Sequence, residues 1–147
     1  MKNFDILKGS YLTNDLTDEQ VNKVAEISEQ MTFGDLKEVL REFDDACDVY
    51  ILVEGKARVT TDSGDLIARL KPGDIVGEMG LFEMQARTAS VISDGDSRFL
   101  CLCGEKLNVL LDEDSTIGVK ILRNVGRSLC AHLRSSNIQL EAVLGNL

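Results

Sequence analysis

Residues 75–91 contain the side chains best suited to binding chemistry. Glu78 lies between Gly77 and Gly80, where the chain passes from one predicted strand to the next. At such a point, backbone N–H groups can be left without partners at the start of a short helical turn. They bind anions there because they donate hydrogen bonds and carry the positive end of the helix dipole. Glu78 adds a strong acceptor, which suits a sugar hydroxyl and does not suit a phosphate.

Arg87 supplies the matching positive charge at the start of the following strand. Side chains alternate along a strand, so Arg87 and Val91 lie on the same face, and Arg87 faces a barrel interior if Val91 does. A charge there is costly unless it is paired, and arginine can hold a phosphate with two parallel hydrogen bonds. Thr88 adds a hydroxyl beside it. The segment predicts a site for a phosphate attached to a ribose; the alternative is a structural salt bridge between Arg87 and Glu78.

Short strands are predicted around this segment. Runs rich in Val, Ile and Leu alternate with turn signals at residues 61–65, 71–74 and 93–96. The predicted strands are residues 38–41, 49–53, 56–61, 65–70, 88–93 and 98–103. Their even spacing, without long helices between them, favours an antiparallel jelly-roll barrel over a parallel sheet.

Helical patterns flank the strands on both sides. Thr17 and Gln20 form a predicted capping box, followed by apolar residues at helical spacing as far as Met31. We therefore expect one mainly β domain with flanking helices. It consists of a helical cap (1–32), a jelly-roll barrel (33–103) and C-terminal helices (104–147).

The last helix, predicted over residues 115–144, is longer than a small barrel can cover, at roughly 45 Å for 1.5 Å per residue. Its apolar positions follow helical spacing: Leu122, Val125, Leu129, Leu133, Leu140 and Leu144. The surplus apolar stripe predicts a homodimer that pairs two copies of this helix. The alternative is a helix that folds back entirely on its own barrel.

Composition and charge exclude several function classes. The chain has 147 residues and a formal net charge of −9, which fits one domain and disfavours direct DNA binding, since a nucleic-acid groove needs a dense positive surface. It has no apolar run of the roughly 20 residues that cross a bilayer and no apolar leader, so we expect a cytoplasmic protein without membrane contact.

The residues that could form a metal or catalytic site are few. Cys47, Cys101, Cys103 and Cys130 are expected to be reduced, buried and structural, because the usual metal-binding spacing is absent. A single histidine, His132, excludes multi-histidine metal sites, and no nucleophile motif lies near it. We expect no metal, no cofactor and no enzymatic activity.

Residues 77–91 resemble the phosphate-binding cassette of the cyclic nucleotide-binding domains, in which Gly-Glu-x-x-Leu leads through a short helix to Arg-Thr/Ser-Ala-x-Val. The matching residues are Gly77, Glu78, Leu81, Arg87, Thr88, Ala89 and Val91. The likeness covers nearly the whole chain. Residues 50–59 resemble the family's Tyr-x-Ile-x-x-Gly hairpin, residues 70–74 the turn before the cassette, and residues 115–129 the long helix of the bacterial catabolite activator branch.

The resemblance implies a jelly-roll barrel that binds a cyclic nucleotide, with cAMP favoured and cGMP left open. In this family the cassette amides and Arg87 would hold the cyclic phosphate, and Glu78 would accept from the ribose 2′-hydroxyl. Thr88 would touch the phosphate or the base. The implied ligand-binding residues are Gly77, Glu78, Met79, Gly80, Arg87, Thr88, Ala89 and His132, the last near the position that contacts adenine in the activator branch.

The sequence also departs from the family pattern. Leu36, Phe43 and Ala46 stand where the family has glycines, so we expect those turns to differ in backbone conformation. The activator branch continues into a helix-turn-helix domain that has no counterpart here, which predicts output through a separate effector protein. A second hypothesis is a barrel that no longer responds to ligand and serves as a dimerisation or docking module.

Overall fold

A computed structural model of the chain describes residues 1–40, 48–82 and 89–145. The helices are α1 (Asn3–Lys8), α2 (Asp18–Glu26), α3 (Gly104–Glu113) and α4 (Ser115–Gly145). The strands are β1 (Ser28–Phe33), β2 (Glu38–Leu40), β3 (Val49–Thr60), β4 (Leu66–Leu70), β5 (Ile75–Val76) and β6 (Ser90–Leu102). Two 3-10 helical turns, Tyr11–Thr13 and Glu78–Leu81, are called the N-terminal turn and the cassette turn. The predicted class, mainly antiparallel β with helices at both ends, is confirmed.

Two long strands organise the sheet. β3 and β6 pair with each other in antiparallel fashion along most of their length. The strand order is β1-β6-β3-β4, with β2 added to β6 and β5 added to β3. Each long strand joins two segments that were predicted separately, because pairing continues through register shifts on either side of Glu54. In the sequence, the polar residues at such a bulge look like a turn between two strands. In the structure they lie in one continuous strand and bend it.

The alternation of side chains on β3 and β6 creates two hydrophobic cores. One core lies between the sheet and the helices, and we call it the helix-facing core; it includes Val49, Ile51, Leu100 and Leu102. The other lies inside the barrel, and we call it the barrel-interior core. Its buried members are Val39, Leu40, Tyr50, Leu52, Ala57, Val76, Val91, Phe99 and Cys101. The same two strands therefore support the helices on one face and the barrel interior on the other.

The N-terminal helical region is shorter than predicted. The capping box is present: the Thr17 hydroxyl accepts from the Gln20 N–H at 3.2 Å, and Gln20 Oε1 accepts from the Thr17 N–H at 2.9 Å. However, α2 ends at Glu26, and Met31 belongs to β1, which pairs with β6. The prediction of helix to residue 32 was wrong because Met31 packs against the barrel-interior core, and this tertiary pairing overrides the local helical spacing.

The C-terminal helices form as predicted. The first half of α4 packs against the helix-facing core through Ile117, Ile121 and Val125, each fully buried. Residues 130–145 of the same helix are exposed at every position. Among the residues that the structure describes, no helix is long and apolar enough to span a membrane.

Leu36 corrects one expectation about the missing glycines. Its φ is +63°, so the turn keeps the left-handed conformation that a glycine would favour. The Leu36 N–H donates to the Ser93 carbonyl at 2.9 Å, and the Ser93 N–H donates to the Lys37 carbonyl at 2.9 Å. This pairing with β6 holds the backbone despite the side chain. Phe43 and Ala46 lie outside the described residues.

Candidate functional site

The cassette turn begins at a glycine for a backbone reason. Gly77 has φ +85°, in the left-handed region, where a side chain is strained. The turn that follows carries Glu78, Met79 and Gly80, so these predicted site residues lie together. The Gly80 N–H donates to the Gly77 carbonyl at 3.1 Å and therefore takes part in the turn itself.

β5 and β3 fix the position of the cassette turn. Val76 pairs with Tyr50 on β3, and the Leu52 N–H donates to the Asp74 carbonyl at 2.9 Å. The turn before β5 is closed by the Lys71 N–H, which donates to Asp74 Oδ2 at 2.9 Å. The cassette turn is thereby attached to the long strand β3 and follows directly after Val76 of the barrel-interior core.

The start of β6 tests the condition under which Arg87 was predicted to face the barrel interior, namely that Val91 faces it. Val91 is 2% exposed and belongs to the barrel-interior core, so the condition on which that prediction depends is met. Ala89, two residues before it, is half-buried. Arg87 and Thr88 lie outside the described residues, and their roles remain predictions.

His132 belongs to the second half of α4 and not to the cassette turn. It lies on α4 in the stretch 130–145, where every side chain is exposed. A single chain thus brings Gly77, Glu78, Met79 and Gly80 into one turn and leaves His132 in solvent.

Sequence reasoning missed a polar contact that ties α4 to the N-terminal turn. Asn124 is 5% exposed, and its amide nitrogen donates to the carbonyls of Leu12 at 3.0 Å and Asn14 at 2.9 Å. One signal was available: Asn124 stands between Ile121 and Val125, on the helix surface that contacts the core. A buried amide needs hydrogen-bond partners, and here the N-terminal turn provides them.

Sequence reasoning also missed Tyr11, which packs against the helix-facing core with its side chain near Ser128 of α4. Burial raises the pKa of the Tyr11 phenol, the Ser128 hydrogen bond lowers it, and the nearby negative charge of Glu78 raises it further. The net shift of the pKa is upward, so the phenol stays neutral at neutral pH.

The cysteines differ in their surroundings. Cys101 is buried, and burial, followed by the charge of Asp48, raises the pKa of its thiol to about 11, which makes it unreactive. Cys103 is half-buried, but Cys130 is exposed, so the expectation that all are buried was wrong for Cys130. Cys47 lies outside the described residues. Within the described part of the chain, no group of three or more His, Cys, Asp or Glu residues could hold a metal ion.

Comparison with known proteins identifies similar sequences. Residues 19–114 match the family model of the cyclic nucleotide-binding domain. The cyclic AMP receptor protein of Thermus thermophilus is 26% identical over 139 residues, covering 92% of this chain and 62% of that protein. The cAMP-dependent protein kinase regulatory subunit of Dictyostelium discoideum is 32% identical over 94 residues, covering 59% of this chain and 29% of that protein. The chain thus spans less than two thirds of the length of either relative.

A solved structure agrees with the fold. A cyclic nucleotide-binding domain from Methylobacillus flagellatus superposes with a TM-score of 0.80 at 23% identity, covering 94% of this chain and 82% of that one. At this identity the likeness concerns the fold alone, and it supports the jelly-roll arrangement of the strands.

Proposed function

The chain belongs to the cyclic nucleotide-binding domain family, and from this membership we propose that it is a regulatory domain that binds cAMP. The observation that carries the proposal is the cassette turn. Gly77 in the left-handed conformation starts the turn, which carries Glu78 two residues after Val76 of the barrel-interior core. The two relatives are named for cyclic AMP or for dependence on cAMP, which supports cAMP over cGMP; one is named a receptor and the other a regulatory subunit.

In the proposed complex the cassette binds the cyclic phosphate and the ribose. The phosphate lies against the backbone amides at the start of the cassette turn, near Met79, and is held by Arg87 and the Thr88–Ala89 segment. Glu78 accepts a hydrogen bond from the ribose 2′-hydroxyl. One guanidinium and a few amides suffice for a single phosphate, even in a chain of net charge −9, because they act at short range in a partly buried site.

Isothermal titration of the whole chain with cAMP and with cGMP tests the proposal. Arg87→Ala should weaken cAMP binding by roughly tenfold to a hundredfold, since a hydrogen bond to a charged group contributes about 1.5–3 kcal/mol. Arg69→Ala is the matched control, because Arg69 is exposed on β4 and lies outside the cassette. Absence of heat with both nucleotides at millimolar concentration would overturn the proposal and favour the docking module that does not respond to ligand.

We further propose that two copies pair through α4. Positions 122, 126, 129, 133, 136, 140 and 143 alternate spacings of four and three and place five leucine or valine residues in one line. In the single chain, Leu133, Leu140 and Val143 on this line are 63%, 56% and 62% exposed. Spacings of this kind are typical of helices that supercoil around each other. The second helix would also cover the region of His132, where the base is proposed to bind.

We propose that ligand binding changes the position of α4. The ligand can do so only to the extent that it binds the protein more tightly when the helix is in one position than in another. Because α4 extends past the barrel, a separate effector protein could contact its exposed half and respond to that bias.

A further inference from the structure

We propose that one face of α4 binds an acidic helical segment of the effector protein through a row of positive charges. We call these residues the cationic row; they are Lys120, Arg123, Arg127 and Arg134. The inference rests on the proposed function, which supplies the separate effector as the partner. It adds which side of α4 the effector contacts and the charge of the segment that contacts it.

The spacing of the cationic row places its members on one face of α4. Lys120, Arg127 and Arg134 follow each other at intervals of seven residues. Seven residues make two helical turns and rise about 10 Å, so the row is roughly 21 Å long. Arg123 lies three residues after Lys120 and four before Arg127, which places it on the same face.

The charges of the row are not neutralised within the described part of the chain. Arg123, Arg127 and Arg134 are exposed. The salt bridges among the described residues join other side chains: Lys8–Asp18, Lys23–Asp114 and Arg98–Glu54. Lys120 donates a hydrogen bond to Gln20 Oε1 at 3.2 Å, and this acceptor is neutral. Four positive charges therefore share one helix face in a chain whose formal net charge is −9.

The cationic row lies beside the proposed dimer contact and not on it. Arg123, Arg127 and Arg134 each come one residue after a position on the line of four-and-three spacings, namely 122, 126 or 133. One residue corresponds to a rotation of about 100° around a helix. Two copies that pair through this line would therefore leave Arg127 and Arg134 accessible to a third chain.

An acidic helix is the occupant that this geometry favours. Carboxylates spaced seven residues apart on a partner helix repeat at the same interval of about 10 Å, so each can meet one cation of the row. The row is also bounded, because Glu141 stands seven residues after Arg134 and makes the next position negative. A nucleic acid or an anionic membrane presents negative charge well beyond this length and would be repelled by the acidic remainder of the chain. A short acidic segment makes the attractive contacts and avoids the repulsive ones.

Fluorescence anisotropy of a labelled helical peptide, with glutamates at seven-residue intervals, tests the row on the whole chain. The wild type should bind this peptide, and the affinity should fall as salt is added, because salt screens exposed charges. Arg127→Glu and Arg134→Glu, combined in one variant, should weaken binding at least tenfold. The control variant combines Lys56→Glu with Arg69→Glu, at exposed positions of β3 and β4. It changes the net charge equally and should bind as the wild type does.

A charge-swapped peptide separates a lost contact from a lost fold. This peptide carries lysine in place of each glutamate. It should bind the variant with Arg127→Glu and Arg134→Glu at least tenfold more tightly than it binds the control variant, although the two variants have the same net charge. Equal binding to both variants would show that net charge alone governs the interaction and would overturn the inference.

The remaining outcomes separate this inference from the proposed function. If the wild type does not bind the acidic peptide, the row is not a docking face, while cAMP binding measured by titration stands. If the wild type gives no heat with cAMP but binds the peptide through the row, the proposed function fails and the row remains the docking face of a module that does not respond to ligand. Tighter binding of duplex DNA or phosphatidylserine vesicles than of the peptide would overturn the choice of an acidic helix. So would a 16.2 kDa monomer on reversal of Arg127 and Arg134, which would place the row in the dimer contact.

Discussion

Several turns of this barrel contain one residue with a left-handed backbone. These positions differ in how strictly they require glycine. Gly77 has φ +85° at the start of the cassette turn, and Gly55 has φ +92° at the bend of β3. Leu36 has φ +63° although it carries a large side chain. Left-handed backbone costs a non-glycine residue about 1–2 kcal/mol, which the pairing of Leu36 with β6 offsets.

Gly55 is required for a second reason, the close approach of β6. A Cβ atom there would collide with the Asp96 carbonyl oxygen and lie 2.9 Å from the Ser97 Cα. Gly64 has a similar φ of +95° but has nothing within 4 Å of its added Cβ. Gly55→Ala should therefore destabilise the chain by about 2 kcal/mol or more beyond Gly64→Ala, since both carry the backbone strain and only one collides.

Urea unfolding followed by circular dichroism measures this difference. A similar midpoint for Gly55→Ala and Gly64→Ala would show that the two strands can separate at the bend without cost.

At the scale of elements, α4 combines two surfaces in one helix. Its first half is part of the domain, because Ile117, Ile121 and Val125 are buried in the helix-facing core. Its second half leaves apolar side chains in solvent, and such a stripe has a favourable free energy of burial if a second helix covers it. The first surface positions the helix, and the second is the proposed dimer contact.

Substitution on and off this stripe tests the dimer. Leu133 and Ile138 are 63% and 66% exposed in the single chain, but only Leu133 lies on the line of four-and-three spacings. Leu133→Glu should give a particle near 16.2 kDa, because the dimer would bury an unpaired charge, whereas Ile138→Glu should stay at twice that mass.

Size-exclusion chromatography with light scattering gives both masses directly. Wild-type chain that elutes as a 16.2 kDa monomer at micromolar concentration would contradict the dimer.

At the scale of the whole molecule, the two cores are joined by shared strands. Phe99 and Leu100 are neighbours on β6, and both are fully buried, yet Phe99 faces the barrel interior and Leu100 the helices. Loss of β6 would open both cores at once. The helices and the barrel are therefore expected to unfold as one cooperative unit, as small single domains usually do.

Two probes test this cooperativity in urea. Far-ultraviolet circular dichroism follows the helices, and tyrosine fluorescence in Tyr11→Phe follows Tyr50, which lies in the barrel-interior core. The two transitions should coincide. In Leu100→Ala both should move together, by about 2–5 kcal/mol in the free energy of unfolding. A barrel transition that stays in place while the helices melt early would mean that the cores are independent.

The sequence alone determined the fold class, the capping box of α2, both C-terminal helices and the cassette pattern from Gly77 to Val91. These features rest on local periodicity, on capping chemistry and on a motif that matches the cassette of the cyclic nucleotide-binding domain family. Tertiary structure decided that Met31 belongs to a strand, that β3 and β6 run through their bends, and that Leu36 adopts a left-handed backbone. It also brought Asn124 of α4 against the carbonyls of the N-terminal turn. Those outcomes depend on partners that are distant in the sequence, such as β6 for Leu36, and no local pattern encodes them.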